Sequence, residues 1–332
     1  MGAERSPTLE DVARVAGVSR ATVSRVVNGI RNVDQDIQEA VRLAIEKIGY
    51  APNHAARSLV TRRTGAIALV VSGAGGHVFG DPFFGRVVGG VVEFLRERGM
   101  HPLLMLVDTD RSRENALTHL RQGGADGALL VSTRADDPLP VMCAMARVPA
   151  VLFARPATSQ PISYVDVAHR EGARLATRHL LDRGCRRLAT ITGPPDLPAS
   201  QERLAGFRDE LAEPAADVAG NFTMESGEQA MEWLLATHPD VDGVFVANDL
   251  MAQGALGVLQ SSGRRVPTDV AVVGFDDSSA ALSARPKLTT VRQPVEEMGA
   301  AMAELLLAHV ADPALPATAR IFDPTLVIRD SA

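Results

Sequence analysis

From residue 65 onward, short apolar runs of strand length alternate with amphipathic stretches of helical length. The strand-like runs are IALVVS (67–72), PLLMLV (102–107), GALLVS (127–132), AVLFA (150–154), RLATIT (187–192), a short segment near Phe222, GVFVAN (243–248) and VAVVGF (270–275). The helical stretches between them are 83–98, 112–122, 169–183, 200–212, 226–236 and 250–261. Continuous apolar strands separated by helices are typical of parallel sheets covered on both faces, so the pattern predicts an α/β body. The cycle restarts after Val165, which predicts two similar lobes with a ligand between them at the carboxyl ends of the strands.

Residues 1–48 have a different pattern, which predicts three short helices over 9–16, 20–27 and 35–48. Short polar residues or glycines mark their ends: Thr8 with Asp11 as a capping box, Ser19 and Asp34 at the starts, and Gly17, Asn28-Gly29 and Gly49 at the ends. Two helices joined by a tight glycine turn and supported by a third are typical of a helix-turn-helix DNA-binding module.

The net charge of −6 is distributed unevenly along the chain. Residues 1–63 carry ten Lys/Arg and seven Asp/Glu, a net +3, and the remainder carries 24 and 33, a net −9. A basic head on an acidic body is typical of a protein that touches DNA with one end only. With 46% hydrophobic residues, a chain of 332 residues can form two or three domains with buried cores.

Several other classes of protein are disfavoured by missing patterns. No run of about 18 uncharged apolar residues predicts a membrane span, and the N-terminus lacks the order of a secretion signal. The two cysteines, Cys143 and Cys185, are too few for a framework of several disulfides, so we expect a cytoplasmic protein. P-loop, GxSxG, HExxH and CxxC patterns do not occur, so we expect no enzyme, no cofactor and no bound metal.

The chain resembles the LacI/GalR family of bacterial repressors over nearly its whole length. In the head and connector the resemblance is carried by TLEDVARVAGVSRATVSRVVNG from Thr8 and GYAPNHAARSL from Gly49. In the body it is carried by DPFFGRVVGG at 81, QERLAGF at 201, FVANDLMAQGAL at 245, VVGFDDS at 272 and LTTVRQP at 288. The resemblance implies a sequence-specific transcriptional repressor, with a helix-turn-helix head on a two-lobed body like that of periplasmic binding proteins.

The resemblance also implies which head residues contact DNA. Family members read base edges in the major groove with the residues that match Arg20, Ala21 and Arg25. An arginine offers a fork of donors that matches guanine O6 and N7, whereas Ala21 offers only an apolar contact. Polar residues placed to bond phosphates fix the register without reading sequence: Thr8, Ser19, Thr22, Ser24, Asn28, Tyr50 and Asn53. The alternative is that the arginines only touch phosphates or solvent.

The connector at 49–64 is expected to act as a hinge. In the family it folds into a short helix on DNA and wedges a leucine between base pairs in the minor groove, which kinks the duplex. Leu59 holds that position, and Ala55 and Ala56 are small enough to let two hinge helices approach each other. Two such leucines must come from symmetry-related chains, so we expect a homodimer on a pseudo-palindromic operator in double-stranded DNA. The alternative is that Leu59 packs on the body.

Polar side chains stand where the predicted body strands end. Asp276 follows VAVVGF, Asn248 follows GVFVA, and Arg203 is expected to open the helix after RLATITG. Carboxylate, amide and guanidinium groups together suit a ligand with many hydroxyls. Phe222 and Phe83 could stack on an apolar ligand face. The resemblance implies that Arg203, Asn248, Asp276 and Phe222 contact an effector, and we expect Asp81, Arg155 and Gln293 to complete the polar set.

Alternatives stay open for several of these residues. Asp249 and Asp277 are expected to cap helices rather than bind a ligand, and Phe84 and Gln293 could instead be core and hinge residues. A sugar is the expected effector, with a purine as the alternative because phenylalanine stacks on either. An alternative of another class is a two-lobed solute-binding protein, which does not account for the head.

We expect a division into a head at 1–48, a hinge at 49–64 and an effector-binding body at 65–332. In family members the chain crosses back between the two lobes. We therefore expect lobe one over about 65–166 and 293–321, and lobe two over about 167–291 and 322–332. The chain ends without a leucine-heptad tail, which favours a dimer over a tetramer.

Overall fold

The computed structural model describes residues 7–27, 33–50, 63–73, 79–131, 136–156 and 160–332. The chain separates into two compact units, Met1–Thr64 and Gly65–Ala332, called the head and the body below.

The described part of the head contains helices α1 (Leu9–Ala16), α2 (Arg20–Val27) and α3 (Gln35–Ile48). Thr8 caps α1 through the expected reciprocal capping box with Asp11. Gly17 and Gly49 end α1 and α3 at φ 68° and 63°, the left-handed conformation that glycine adopts without a steric penalty. The helices enclose a small core of Val12, Ala13, Val23, Val41, Ala44 and Tyr50.

The first sheet of the body contains β1 (Ala66–Ser72), β2 (His101–Val107), β3 (Ala128–Val131), β4 (Ala150–Phe153), β5 (Ser163–Val167) and β11 (Ala319–Phe322). Within the described residues its order is β11-β5-β4-β3-β1-β2, with every neighbouring pair parallel. Helices α4 (Pro82–Arg96) and α12 (Val295–Ala311) pack on one face, and α5 (Asp110–Arg121) and α6 (Leu139–Met145) on the other.

The second sheet contains β6 (Leu188–Thr192), β7 (Ala216–Ala219), β8 (Gly243–Val246), β9 (Ala271–Asp276), β10 (Thr289–Arg292) and β12 (Thr325–Val327). In the described chain its order is β12-β10-β9-β8-β6-β7, parallel except for β12 against β10. Helices α7 (His169–Asp182) and α8 (Pro198–Asp209) cover one face, and α9 (Met224–Thr237) and α10 (Asp249–Ser261) the other. A short helix, α11 (Ser279–Ser283), follows β9. The predicted α/β class with two parallel-sheet lobes is confirmed.

The chain passes between the two sheets at three points of the described body. The first crossover joins β5 to α7 through Ala168, the second joins β10 to α12 through Gln293 and Pro294, and the third joins β11 to β12. The Ala168 amide donates to the Phe322 carbonyl (2.9 Å), so the first and third crossovers touch each other.

Some elements differ from the sequence-based expectations. The strand expected near Phe222 lies at β7, three residues earlier, and Phe222 itself is in a loop at φ 68°. The sequence pattern did not predict α6, α11, α12, β5 or β10 to β12. The apolar run of β2 was expected to be covered on both faces, but β2 is an edge strand with Leu103, Leu104 and Leu106 exposed by 37%, 43% and 36%. A local pattern cannot distinguish an edge strand from a central one.

Gly90 sets the approach of α4 to the start of α12. A Cβ at Gly90 would lie 2.1 Å from the Glu296 carbonyl oxygen, whereas a Cβ at the neighbouring Gly89 meets nothing within 4 Å. We therefore expect Gly90→Ala to lower the free energy of unfolding by about 1–3 kcal/mol through overpacking. Gly89→Ala, the control, should leave it unchanged or raise it by up to about 1 kcal/mol. Urea denaturation measures both, and equal effects would contradict the close approach.

Candidate functional site

Arg203 lies at the centre of a buried polar network in the body. Its side chain is on α8, is 5% exposed and lies flat over the Phe275 ring, with Cζ 3.8 Å from the ring centroid. Nε donates to His169 Nδ1 (3.3 Å), one terminal nitrogen donates to the Ala247 carbonyl, and the other lies 3.7 Å from Asp276 Oδ1. Burial lowers the pKa of Arg203, and the carboxylates of Asp276 and then Asp166 oppose that effect. A guanidinium has a planar fork of donors, so these three contacts fix its orientation.

Asp276 lies opposite Arg203 at the carboxyl end of β9. It is 5% exposed and has φ 112°, a conformation that side-chain-bearing residues rarely adopt. Burial raises the pKa of Asp276 to about 7, Arg203 opposes the rise, and the charge of Asp81 adds to it. Strained backbone and a perturbed carboxyl in one residue are typical of a functional site.

Gln293 and Arg86 hold Asp276 from the side of the first sheet. Gln293, 1% exposed in the second crossover, donates from Nε2 to Asp276 Oδ1. Arg86 of α4 donates to the backbone carbonyls of Asp276 (2.7 Å) and Gln293 (3.2 Å) and pairs with Glu296 (2.7 Å). The strained end of β9 is thus bonded to residues of both lobes.

Phe222 and Asn248 form a second part of the site, next to the end of β6. Asn248 caps α10 by accepting from the Met251 amide (2.9 Å), and its Nδ2 donates to the Phe222 carbonyl (3.1 Å). The Phe222 ring lies over Gly193, where a Cβ would come within 2.1 Å of Cζ. The Asn248 amide therefore holds the Phe222 loop in its left-handed conformation.

The first sheet contributes Asp81 and Phe83. Asp81 caps α4 by accepting from the Phe83 amide (2.9 Å). The Phe83 ring packs edge-on against Phe153, with ring centroids 5.6 Å apart, and against Phe84 at 5.4 Å. Phe83 and Phe84 are both half-buried against the core of this lobe.

Arg155 is in the segment after β4. Its exposed side chain lines a cavity of about 450 Å³ that extends from the first sheet to α7 and α8. Asp166, His169 and Glu202 line the same cavity, which connects Arg155 to the network around Arg203.

Two local expectations were wrong. Arg203 does not open α8, because the helix begins at Pro198, and Arg203 is in its second turn. Asp249 and Asp277 do not cap helices, since Asn248 and Ser278 hold those positions. The fully buried Asp249 instead accepts from the Ser278 amide (2.6 Å) and the Thr290 hydroxyl, and burial raises its pKa. Asp277 pairs with Arg292 (2.7 Å) and with Arg329.

Asp166, His169 and Arg86 were not predicted as site residues. Arg86 bonds Asp276 across 190 residues and His169 bonds Arg203 across 34 residues, so a local sequence pattern does not reveal these contacts. One usable signal was that His169 begins a helix directly after the predicted crossover near Val165.

In the head, α2 presents the residues expected to read bases on its outer side. Arg20, Ala21 and Arg25 are exposed. A terminal guanidinium nitrogen of Arg20 lies 3.5 Å from Glu10 Oε1. Ser19 caps α2 by accepting from the Thr22 amide (3.1 Å), and Ser24 is half-exposed. Tyr50 is only 8% exposed. Asn28, Asn53, Ala56 and Leu59 lie outside the described residues.

Among the described residues, no group of three or more His, Cys, Asp or Glu side chains could hold a metal ion. In the same part of the chain no helix is long and apolar enough to span a bilayer.

The head and the body each contain a segment that matches a known protein family. Residues 8–53 match the model of bacterial regulatory proteins of the lacI family, and residues 177–332 match a periplasmic binding protein-like domain. The HTH-type transcriptional regulator CelR of Thermobifida fusca is 46% identical over the full length of both chains. The ribose operon repressor of Escherichia coli K12 is 34% identical, covering 98% of this chain and 99% of the repressor.

Solved structures of similar fold are also regulators of this kind. A CelR–cellobiose complex matches with a TM-score of 0.77 and 44% identity, over 98% of this chain and 100% of that one. The lac repressor dimer bound to operator and the anti-inducer ONPF matches with a TM-score of 0.87 and 28% identity, over 98% and 99% of the two chains.

Ionisation of Asp276 should destabilise the folded protein, whereas ionisation of the neighbouring Asp277 should stabilise it. Because the pKa of Asp276 in the folded protein is raised to about 7, the free energy of unfolding falls as the pH rises from about 4 to 7. Asp276→Asn should therefore raise the free energy of unfolding of the ligand-free protein at pH 8, by up to about 4 kcal/mol, with the difference closing towards pH 4.

Asp277→Asn is the matched control. Burial raises the pKa of Asp277, but hydrogen bonds from Arg329 and Arg292 lower it overall, so its charge stabilises the fold at neutral pH and that contribution is lost in acid. Asp277→Asn should therefore be less stable than wild type at pH 8 and similar to it near pH 3. Denaturation curves from pH 3 to 8 measure both variants. If both variants were more stable than wild type at pH 8, or both less stable, this assignment would be contradicted.

Proposed function

The chain belongs to the lacI family of bacterial regulatory proteins, and from that premise we propose that it is a transcriptional repressor controlled by a sugar. It binds a pseudo-palindromic operator as a homodimer, and a sugar bound between the lobes changes its operator affinity. We propose the cytoplasm as its location and binding, rather than catalysis, as the role of the cleft residues. The observation that carries the proposal is the buried Arg203–Asp276 pair, which is bonded to residues of both lobes.

The chemistry of the cleft suits a polyhydroxylated ligand. Asp276 accepts from hydroxyls, Arg203 donates to their oxygens, and the Phe222 ring offers a face on which a sugar or a base stacks. Asn248, Asp81, Phe83, Arg155 and Gln293 complete the proposed set. A CelR chain that is 44% identical has been solved with cellobiose, so we propose cellobiose or a similar disaccharide as the effector.

We propose that lobe one spans about 65–166 and 293–321 and that lobe two spans about 167–291 and 322–332. A ligand that binds one arrangement of the lobes better shifts the population towards that arrangement. The change in lobe arrangement then alters the spacing of the two heads (residues 1–48) in the dimer through the hinges at 49–64. We propose that Leu59 of each hinge is the wedge in the minor groove.

The exposed edge strand β2 supports a homodimer. In the described sheet β2 pairs with β1 on one side only, and Leu103, Leu104 and Leu106 expose apolar surface next to its outer edge, a feature that soluble proteins usually cover. The lac repressor relative has been solved as a dimer on its operator.

Arg25 should determine base preference, while other exposed polar residues of the head bond phosphates. Arg25→Ala is expected to weaken operator binding by about 1–3 kcal/mol and to relax preference at one base pair. Arg25→Lys, the control, keeps the charge but not the fork of donors, so it should lose specificity while retaining affinity for random DNA. Fluorescence anisotropy with operators selected from a random duplex library measures both. Equal losses on all sequences would assign Arg25 to phosphate.

The effector proposal is tested with cellobiose, ribose and hypoxanthine as added ligands. Cellobiose should stabilise the wild-type protein, by about 2.7 kcal/mol at a hundredfold excess over Kd, and should change its operator affinity. Asp276→Asn should fold and bind operator without sugar, yet lose both responses, because the amide no longer accepts from two hydroxyls. Asp277→Asn is the control that keeps the responses. Stabilisation by hypoxanthine alone would replace the sugar with a purine, and no response to any sugar would overturn the proposal.

A further inference from the structure

His169 joins the Arg203 network to the first crossover. It is the first residue of α7, directly after β5 and Ala168, where the chain leaves the first sheet for the second. Its Nδ1 accepts from Arg203 Nε (3.3 Å), and its Nε2 lies 3.2 Å from Asp166 Oδ1. The imidazole thus bridges a carboxylate at the end of β5 and the guanidinium at the centre of the proposed ligand site.

These contacts require a neutral imidazole in one tautomer. Arginine has only donors and stays protonated in proteins, so the Nδ1 atom that faces Arg203 must carry the acceptor lone pair. The proton then resides on Nε2 and is donated to Asp166. Protonation of Nδ1 would place two N–H groups and two positive charges against each other, so His169 could not be charged without displacing Arg203.

The surroundings of His169 keep the neutral form favoured. Burial lowers the pKa of His169, the Arg203 charge lowers it further, and the carboxylates of Asp166 and then Glu202 oppose these effects. On the remaining side the Phe275 ring of β9 packs against the imidazole, with ring centroids 6.0 Å apart, and offers no charge. Arg155 and Arg170 line the cavity next to the imidazole.

Arg203 has little freedom to compensate for the loss of His169. Its other contacts are the Ala247 carbonyl, the Phe275 face and Asp276, all within lobe two. His169 supplies the contact that connects the guanidinium to the first crossover. Gln293 does the same for Asp276 at the second crossover. Both members of the ligand-binding pair are therefore held by residues at which the chain changes lobes.

We propose that His169 is a positioning residue: its neutral imidazole holds Arg203 in the ligand-binding orientation, and protonation of His169 in acid releases Arg203 and lowers ligand affinity. The inference rests on the proposed function, because it concerns the same cleft. Ligand affinity then falls as pH decreases through two titrations, that of Asp276 and that of His169.

The test is isothermal titration calorimetry of the full-length protein with cellobiose from pH 8 down to the lowest pH at which the protein stays folded. His169→Ala removes the acceptor for Arg203 and should weaken binding at pH 8 by about tenfold or more, the effect of losing one hydrogen bond to a charged group. His169→Asn places a non-titrating Oδ1 near the position of Nδ1, so at pH 8 its Kd should stay within about threefold of wild type. Below the pKa of His169, log Kd should depend more steeply on pH in wild type than in His169→Asn, because only the wild-type side chain gains a proton at this position.

His179→Ala is the matched control, because His179 lies on the same helix two to three turns away from the site. It should keep the wild-type affinity and slope. Operator binding without sugar, unchanged in all three variants, shows that each is folded. Wild-type affinity in His169→Ala at pH 8, or a wild-type slope in His169→Asn, would overturn the inference.

A ligand-free measurement separates failure of this inference from failure of the sugar proposal. Nitrogen NMR of the wild-type imidazoles, assigned by comparison with His169→Asn, should show His169 protonated at Nε2 at pH 7. Asp166→Asn should lower the pKa of His169 further, because the carboxylate no longer stabilises the imidazolium. If cellobiose fails to bind, the proposed effector is wrong and these results still decide the role of His169. An Nδ1-protonated tautomer would overturn it.

Discussion

The buried guanidinium of Arg203 constrains the whole body of this protein. A buried charge is tolerated only when it is paired and its donors are satisfied, and Arg203 is 5% exposed against the face of Phe275. Its partners come from three elements: His169 at the start of α7, Ala247 after β8 and Asp276 at the end of β9. The fold must hold these three together, and it does so where the carboxyl ends of parallel strands meet. The same arrangement leaves donors and acceptors that a hydroxylated ligand can use.

Residues at the crossovers between the lobes bond both members of this pair. Arg203 and Asp276 both belong to lobe two, yet His169 and Gln293, which hold them, lie at two of the points where the chain changes lobes. Arg86 of lobe one bonds the carbonyls of Asp276 and Gln293. A ligand that competes for these groups changes the balance between lobe arrangements, because packed interfaces switch between discrete states rather than deform continuously. In the proposed function, ligand binding and allosteric response therefore depend on the same atoms.

Much of this could be predicted from the sequence. The body strands and helices follow apolar periodicity, and the head helices follow their caps. Asp276 and Asn248 were proposed as site residues because they are polar and directly follow apolar strands. The mistakes have physical causes. Asp249 was assigned as a cap because cap positions shift by one residue without changing the pattern, and Asn248 takes that role. His169 and Arg86 act across 34 and 190 residues, and the exposed face of β2 depends on sheet order, so local patterns do not contain that information.

The central claim, that a ligand at the Arg203–Asp276 pair resets the arrangement of the lobes, is tested most directly by an interlobe distance. Spin labels at Glu114→Cys in α5 and Glu225→Cys in α9 occupy exposed positions on the two lobes, while both native cysteines are buried. Pulsed electron resonance, with labelled chains diluted by unlabelled ones, gives the distance distribution with and without cellobiose. The account predicts that cellobiose shifts this distribution to a single narrow population. An unchanged distribution in protein shown by calorimetry to be saturated with cellobiose would contradict it.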